Sequence, residues 1–251
     1  MGGDQACASA CRLAARKGVH AVTPGSRPLL YDYWRSSASY RVRIGLSLKG
    51  LAYDRRPVDL LAGAQHGEAY RAVNPQGLLP SLEIDGLRLT QSLAILEYLE
   101  ETRPEPPLLP AVPAERAQAR AIALSIAAEV HPLCNPGFVA RVMELAEGGG
   151  VARKAWMQER MSLGLTAVEH LASEAGGDPF ALGETPGLAD CLLVPQLYNA
   201  RRWGLDPAVW PRLHAIETAC VVHPAIAAAH PDRFKPAQRA IQSGEETCLS
   251  H

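Results

Sequence analysis

The stretch Trp34-Arg35-Ser36-Ser37-Ala38-Ser39-Tyr40-Arg41-Val42-Arg43-Ile44-Gly45-Leu46-Ser47-Leu48-Lys49-Gly50 decides the fold of this chain, and elementary rules pull it two ways. Val42, Ile44, Leu46 and Leu48 alternate with polar or small residues, the period-two signature of a half-buried strand. Against that, Ser36 and Ser37 stand where a helix would take its N-cap, and Gly50 stands where it would stop. Periodicity and caps leave strand and helix evenly matched.

The flanks are easier to read. LLYDYW before the stretch (29–34) and AYDRRPVDL after it (52–60) have the short apolar runs of strands. LPSLEIDGLRL (79–89) places Asp85-Gly86 as the tight turn of a hairpin, and QSLAILEYLEE (91–101) has helical spacing. The pattern is a βαβ unit, a hairpin and a helix over residues 29–103. Four prolines between 104 and 112 exclude a helix interior there and mark a linker. Residues 113–230 read as helical throughout.

The remainder of the sequence bounds the function. The chain has 251 residues, 47% hydrophobic and 20% charged, the balance of an ordinary soluble protein. Its 25 Lys and Arg face 26 Asp and Glu, which argues against nucleic acid as partner, and no run approaches a membrane span. Cys7, Cys11, Cys134, Cys191, Cys220 and Cys248 form no CxxC pair, so neither a zinc site nor a disulfide framework is expected and a reducing, cytoplasmic setting fits. No metal site is expected. Residues 1–28 carry Arg12, Arg16, Lys17 and Arg27 against Asp4 alone, which suits a leader-like or disordered extension or an early start. Residues 231–251 are polar and turn-rich and read as a loose tail.

Several motifs then line up in order. Trp34 to Ile44 closely resembles the SSCxWRVRIAL signature of zeta-class glutathione transferases, the maleylacetoacetate isomerases. Asn74-Pro75-Gln76-Gly77-Leu78-Leu79-Pro80, Gln91 to Glu101, His131-Pro132-Leu133-Cys134-Asn135 and Ala189 to Gln196 are similar to further segments of that family, so the resemblance covers about residues 28–230. It implies a helix for the ambiguous stretch. It also implies a thioredoxin-like α/β N-terminal domain, an all-α C-terminal domain, glutathione bound between them, and a homodimer.

The resemblance also implies roles. Ser36 at a helix N-terminus would hold the glutathione thiolate, with Ser37 beside it, because free N–H groups and the positive dipole end stabilise an anion and lower a thiol pKa. A plain N-cap is the ordinary alternative. Leu79-Pro80 would be a cis bond presenting backbone groups to the peptide, and Gln91 and Ser92 would hold the γ-glutamyl end. Gln65 and Gln76 correspond to positions near the glycine end, and His131 and Asn135 to ligand-facing ones. Arg35 and Arg202 would bind a carboxylate or stabilise an enolate through the planar guanidinium.

Two positions depart from the family. Ala38 replaces the motif cysteine, so no thiol can assist there. Gly187 replaces the Ser or Thr that caps a late helix whose reciprocal partner is Asp190, a change expected to cost only a few tenths of a kcal/mol. The implied activity is glutathione-dependent cis–trans isomerisation of maleylacetoacetate to fumarylacetoacetate. Maleylpyruvate isomerisation, a transferase or dehalogenase acting on small acids, and a non-catalytic glutathione-binding module are the alternatives.

Overall fold

A computed structural model describes residues 27–236. The expected N-terminal extension, but for its last two residues, and residues 237–251 lie outside the described residues.

The deciding stretch is a helix, α1 (Ser37–Leu48), between strands β1 (Leu29–Asp32) and β2 (Asp54–Pro57). Ser36 is its N-cap and accepts from the Ser39 N–H, while Gly50 leaves the last turn at φ +64°. The period-two pattern has a simple cause. Val42 and Leu46 form one i, i+4 ridge packed into a core with Leu30, Leu82, Ile95 and Leu99, whereas Tyr40 and Ile44 form a second ridge packed among the C-terminal helices. Two helical ridges offset by two residues mimic a strand. Every residue from Ser37 to Leu46 is buried, and each fully buried aliphatic side chain contributes roughly 1.5–3 kcal/mol.

After β2 a 3-10 turn (Ala64–His66) and a short helix α2 (Glu68–Arg71) lead to the hairpin β3 (Ser81–Ile84) and β4 (Leu87–Thr90), joined through Asp85 at φ 53° and Gly86 at φ 77°. Positive φ at both central residues is the requirement of a type I′ turn, which Asp-Gly meets. The sheet runs β2-β1-β3-β4, with β1 parallel to β2 and antiparallel to β3. Helix α3 (Ser92–Thr102) packs beside α1. This is the thioredoxin-like arrangement implied by the resemblance.

The Pro-rich segment is docked against the body. Glu100 accepts from the Leu108 and Leu109 N–H groups at 2.7 and 3.2 Å, and Lys49 Nζ donates to Glu100 at 2.8 Å and to the Pro106 carbonyl at 2.6 Å. Beyond it come α4 (Pro113–Leu124), a π-helical segment (Ser125–Val130), α5 (His131–Leu133), α6 (Pro136–Leu145) and α7 (Gly150–Ala175). The buried residues Met157, Met161, Leu165, Val168 and Ala172 give α7 one apolar stripe. The central helix is α8 (Leu188–Arg202), buried along most of its length and packed on α1, followed by α9 (Pro211–Val222) and α10 (Pro224–Ala228).

The start of the expected loose tail is corrected. Pro231–Phe234 forms a 3-10 turn, and the Phe234 ring lies under two guanidinium groups, 4.9 Å from that of Arg43 and 4.3 Å from that of Arg55. Cation–π contact holds these residues to the sheet side of the molecule.

Candidate active site

The N-terminus of α1 opens onto a cavity of about 460 Å³. Ser36, Ser37, Arg35 and Tyr33 come from the β1–α1 junction, Leu79 from the loop before β3, His131 and Asn135 from the turn after the π segment, and Asn199 and Arg202 from the end of α8. A second cavity of about 380 Å³ shares Leu78, Leu79, His131 and Asn135 with the first, and so adjoins it. Ala38, Arg41, Pro80, Gln91 and Ser92 line this second space. The candidates other than Gln76 therefore converge on one trough between the sheet end and the helices.

The hydrogen-bond state of each group says what it can offer a ligand. Ser36 Oγ accepts from the Ser39 N–H at 3.2 Å, which uses a lone pair and leaves its own proton to be donated. The residue that caps α1 also lines the cavity. The Leu79–Pro80 bond is cis. The Leu78 carbonyl is held by Tyr70 Oη and Asn74 Nδ2, both at 2.7 Å. Gln91 stands at φ 66°, a left-handed conformation costly for a residue with a Cβ, and its Nε2 donates to Gln76 Oε1 at 3.0 Å. Gln76 thus supports Gln91 and does not line either cavity. Gln65 lines the first cavity with a buried Oε1 that has no partner. Asn135 caps α6, its Oδ1 accepting from the Gly137 N–H at 3.0 Å.

The electrostatics are one-sided. Arg35, Arg153 and Arg202 line the first cavity, and among the described residues no carboxylate does. Burial, and then the like charge of Arg35, pulls the Arg202 pKa down. His131 has a buried Nδ1 without a partner, and burial together with the Arg41 charge holds its pKa down to about 3, so the ring is neutral. The thiol in the wall is Cys134, raised to about 11 by burial, and it does not stand in for the family cysteine replaced by Ala38.

Sequence reasoning missed Arg153, Arg41, Tyr33 and His66. Arg153 could have been found: it precedes Met157 and Met161 at i, i+4 spacing on the inner stripe of α7, where a basic residue faces the core side. Arg41 stands inside the Trp34 to Ile44 stretch, where nothing beside it in sequence marks it as lining a cavity.

Two family models match this chain, the glutathione S-transferase N-terminal domain over residues 30–107 and the C-terminal domain over residues 154–216. The maleylacetoacetate isomerase of Rhizobium meliloti (strain 1021) is 54% identical over 208 residues, covering 83% of this chain and 98% of that protein. The chain belongs to the glutathione S-transferase family. Among solved structures, the maleylacetoacetate isomerase of Anaeromyxobacter dehalogenans 2CP-1 is 44% identical with a TM-score of 0.75, covering 85% of this chain and 98% of that one. It has been crystallised with GSH and with dicarboxyethyl glutathione and citrate in the active site. A bacterial maleyl pyruvate isomerase of the zeta class is 36% identical with a TM-score of 0.80, covering 84% of this chain and all of that one.

Proposed function

We propose that this protein is a glutathione-dependent isomerase that converts maleylacetoacetate to fumarylacetoacetate. The observation that carries the reading is the first cavity: Ser36 at a helix N-terminus lines it together with Arg35, Arg153 and Arg202, and among the described residues no carboxylate does. A site so built suits a thiolate next to a dicarboxylate. The residues fit glutathione because the Gln65 Oε1, His131 Nδ1 and two Arg41 nitrogens of the trough are buried without partners.

When bound, glutathione supplies a thiolate that adds to the cis alkene and leaves after rotation about the resulting single bond. The protein's share is electrostatic and geometric. Ser36 donates its free proton toward the sulfur, and the first-turn N–H groups of α1 add to the positive potential there. Arg35 and Arg202 clamp the substrate's carboxylates and oppose the negative charge that builds on its carbonyl oxygen, while Arg153 holds the far end of the dianion. Gln91, Ser92, Gln65, Leu79 and Pro80 fix the peptide, with Ser37, His131 and Asn135 around it and Gln76 bracing Gln91 from outside the cavities, so that the sulfur meets the double bond in one orientation. We read residues 29–103 as the glutathione-binding domain and 113–230 as the substrate domain, joined by the linker at 104–112. We read the protein as a homodimer, after the family, and as cytoplasmic, in keeping with the free, buried Cys134, Cys191 and Cys220.

Maleylpyruvate is the second reading, supported by the fold match to the maleyl pyruvate isomerase. The test is turnover of maleylacetone and of maleylpyruvate in limiting glutathione, following absorbance and total thiol together. Many turnovers per glutathione with thiol constant, faster on maleylacetone, is the expected result. Stoichiometric thiol loss would replace the isomerase by a transferase, and preference for maleylpyruvate would move the substrate assignment.

A further inference from the structure

Two arginines stand two residues apart on α1, and the fold treats them differently. Arg43, fully buried, is matched: Nη1 donates to Asp32 Oδ1 at 2.7 Å, Nη2 to the Trp34 carbonyl at 2.9 Å and Nε to the Ala229 carbonyl at 3.1 Å. Arg41, 2% exposed, makes one hydrogen bond, from Nη1 to Ser92 Oγ at 3.2 Å. Its Nε and Nη2 are buried without partners, and among the described residues no carboxylate pairs with it. An uncompensated buried guanidinium is among the costliest arrangements a core can hold, and burial pulls its pKa down accordingly.

The position of Arg41 suggests what the cost obtains. It lines the second cavity together with Gln91, Ser92 and His131. A guanidinium only donates, so its bond occupies a lone pair of Ser92 Oγ and directs the Ser92 proton away from Arg41. Ser92 also opens α3, an 11-residue helix whose first N–H groups are free. A hydroxyl proton, helix N–H groups and an unmatched positive charge behind them together make a receptor for a carboxylate.

We infer that Arg41 is the buried counter-charge for the α-carboxylate of the γ-glutamyl end of glutathione, acting through the Ser92 hydroxyl. This rests on the reading that glutathione occupies the trough. Arg41 is a positioning residue: it sets the direction of the Ser92 proton and supplies a charge that the incoming carboxylate neutralises. Arg43 already has its carboxylate in Asp32, whereas Arg41 receives one from the ligand.

The test compares two peptides by calorimetry: glutathione, and γ-aminobutyryl-Cys-Gly, which is glutathione without that carboxylate. Arg41→Met is expected to weaken glutathione binding by about tenfold to a hundredfold and to leave the decarboxylated peptide within about twofold. In a Ser92→Ala background the same substitution should cost much less, because the relay is already broken. Equal weakening of both peptides would mean a merely structural role and overturn the inference, as would no effect on either. Should Arg41→Met fail to fold, Arg41→Lys gives the same comparison, since it keeps the charge but not the planar donor set. A loss of a few-fold confined to glutathione is then expected, and equal effects on both peptides again overturn the inference. A wild-type protein that binds neither peptide overturns the glutathione reading itself, and is told apart from a failure of Arg41 because it needs no variant.

Discussion

Replacing Gly187 by serine should destabilise the protein, although the rules of helix capping favour the change. Gly187 is the N-cap of α8 in an extended conformation, φ −130°, that any residue adopts, and its N–H donates to Asp190 Oδ2 at 2.8 Å. A serine hydroxyl there would gain a few tenths of a kcal/mol over glycine. A Cβ at this position, however, would lie 2.6 Å from the Leu108 carbonyl oxygen, which itself accepts from the Leu188 N–H at 2.7 Å. Leu108 cannot retreat freely, because Glu100 and Lys49 tie its segment down. Overpacking of this kind costs about 1–3 kcal/mol, and stretching the Leu188 bond adds about 0.5–1.5 kcal/mol. The net is a loss of about 2 kcal/mol, or a fall in Tm of roughly 4–8 °C for a chain of this size. Circular-dichroism melts at one protein concentration would measure it, with Gly187→Ala as companion because it brings the clash without the hydroxyl. A serine variant as stable as the parent, or an alanine variant that falls alone, would refute the reasoning.

Ser36→Ala should lower isomerase kcat by about 10²–10³, the value of one donor to an anion, and Ser37→Ala by much less; equal losses in folded variants would reassign the thiolate partner. Arg202→Lys should leave glutathione affinity unchanged in calorimetry and slow turnover of maleylacetone, since the charge remains and the fork is lost; normal turnover would remove Arg202 from the site. His131 is held neutral down to about pH 3 when folded, whereas in the unfolded chain it takes up a proton near pH 6.5. Its contribution to stability is therefore present above about pH 6.5 and lost as pH falls from there toward 3. His131→Gln should flatten the fall in urea midpoint between pH 7 and 5, and unchanged slopes would count against a buried neutral ring.

Local rules carried the reading furthest where one neighbour decides a residue's state. Asp85-Gly86 announced its turn, and Ser36 and Gly50 marked the ends of α1. They fell short where two partners compete for one element. The period of Val42, Ile44, Leu46 and Leu48 was real, but it recorded two cores and not one sheet face, which no single-element template distinguishes. The left-handed Gln91, the π segment before His131 and the docking of Phe234 depend on contacts far away in sequence. Gly187 looked like a missing cap because the approach of Leu108 is invisible from residue 187 alone. The Arg41 and Arg43 contrast is also hidden: the same residue type on one helix finds Asp32 on one side and an open cavity on the other.

The double ridge of α1 has a consequence for how the molecule comes apart. Tyr40 and Ile44 are covered by the later helices, and Val42 and Leu46 by the sheet, so neither half can open without stripping one flank of the same twelve-residue rod. A fragment ending near Arg103 would present Tyr40 and Ile44 to water and should not hold together alone. The halves therefore share a single melting event in calorimetry. The amide hydrogens of α1 should be the last to exchange with deuterium, released only when the entire chain unfolds.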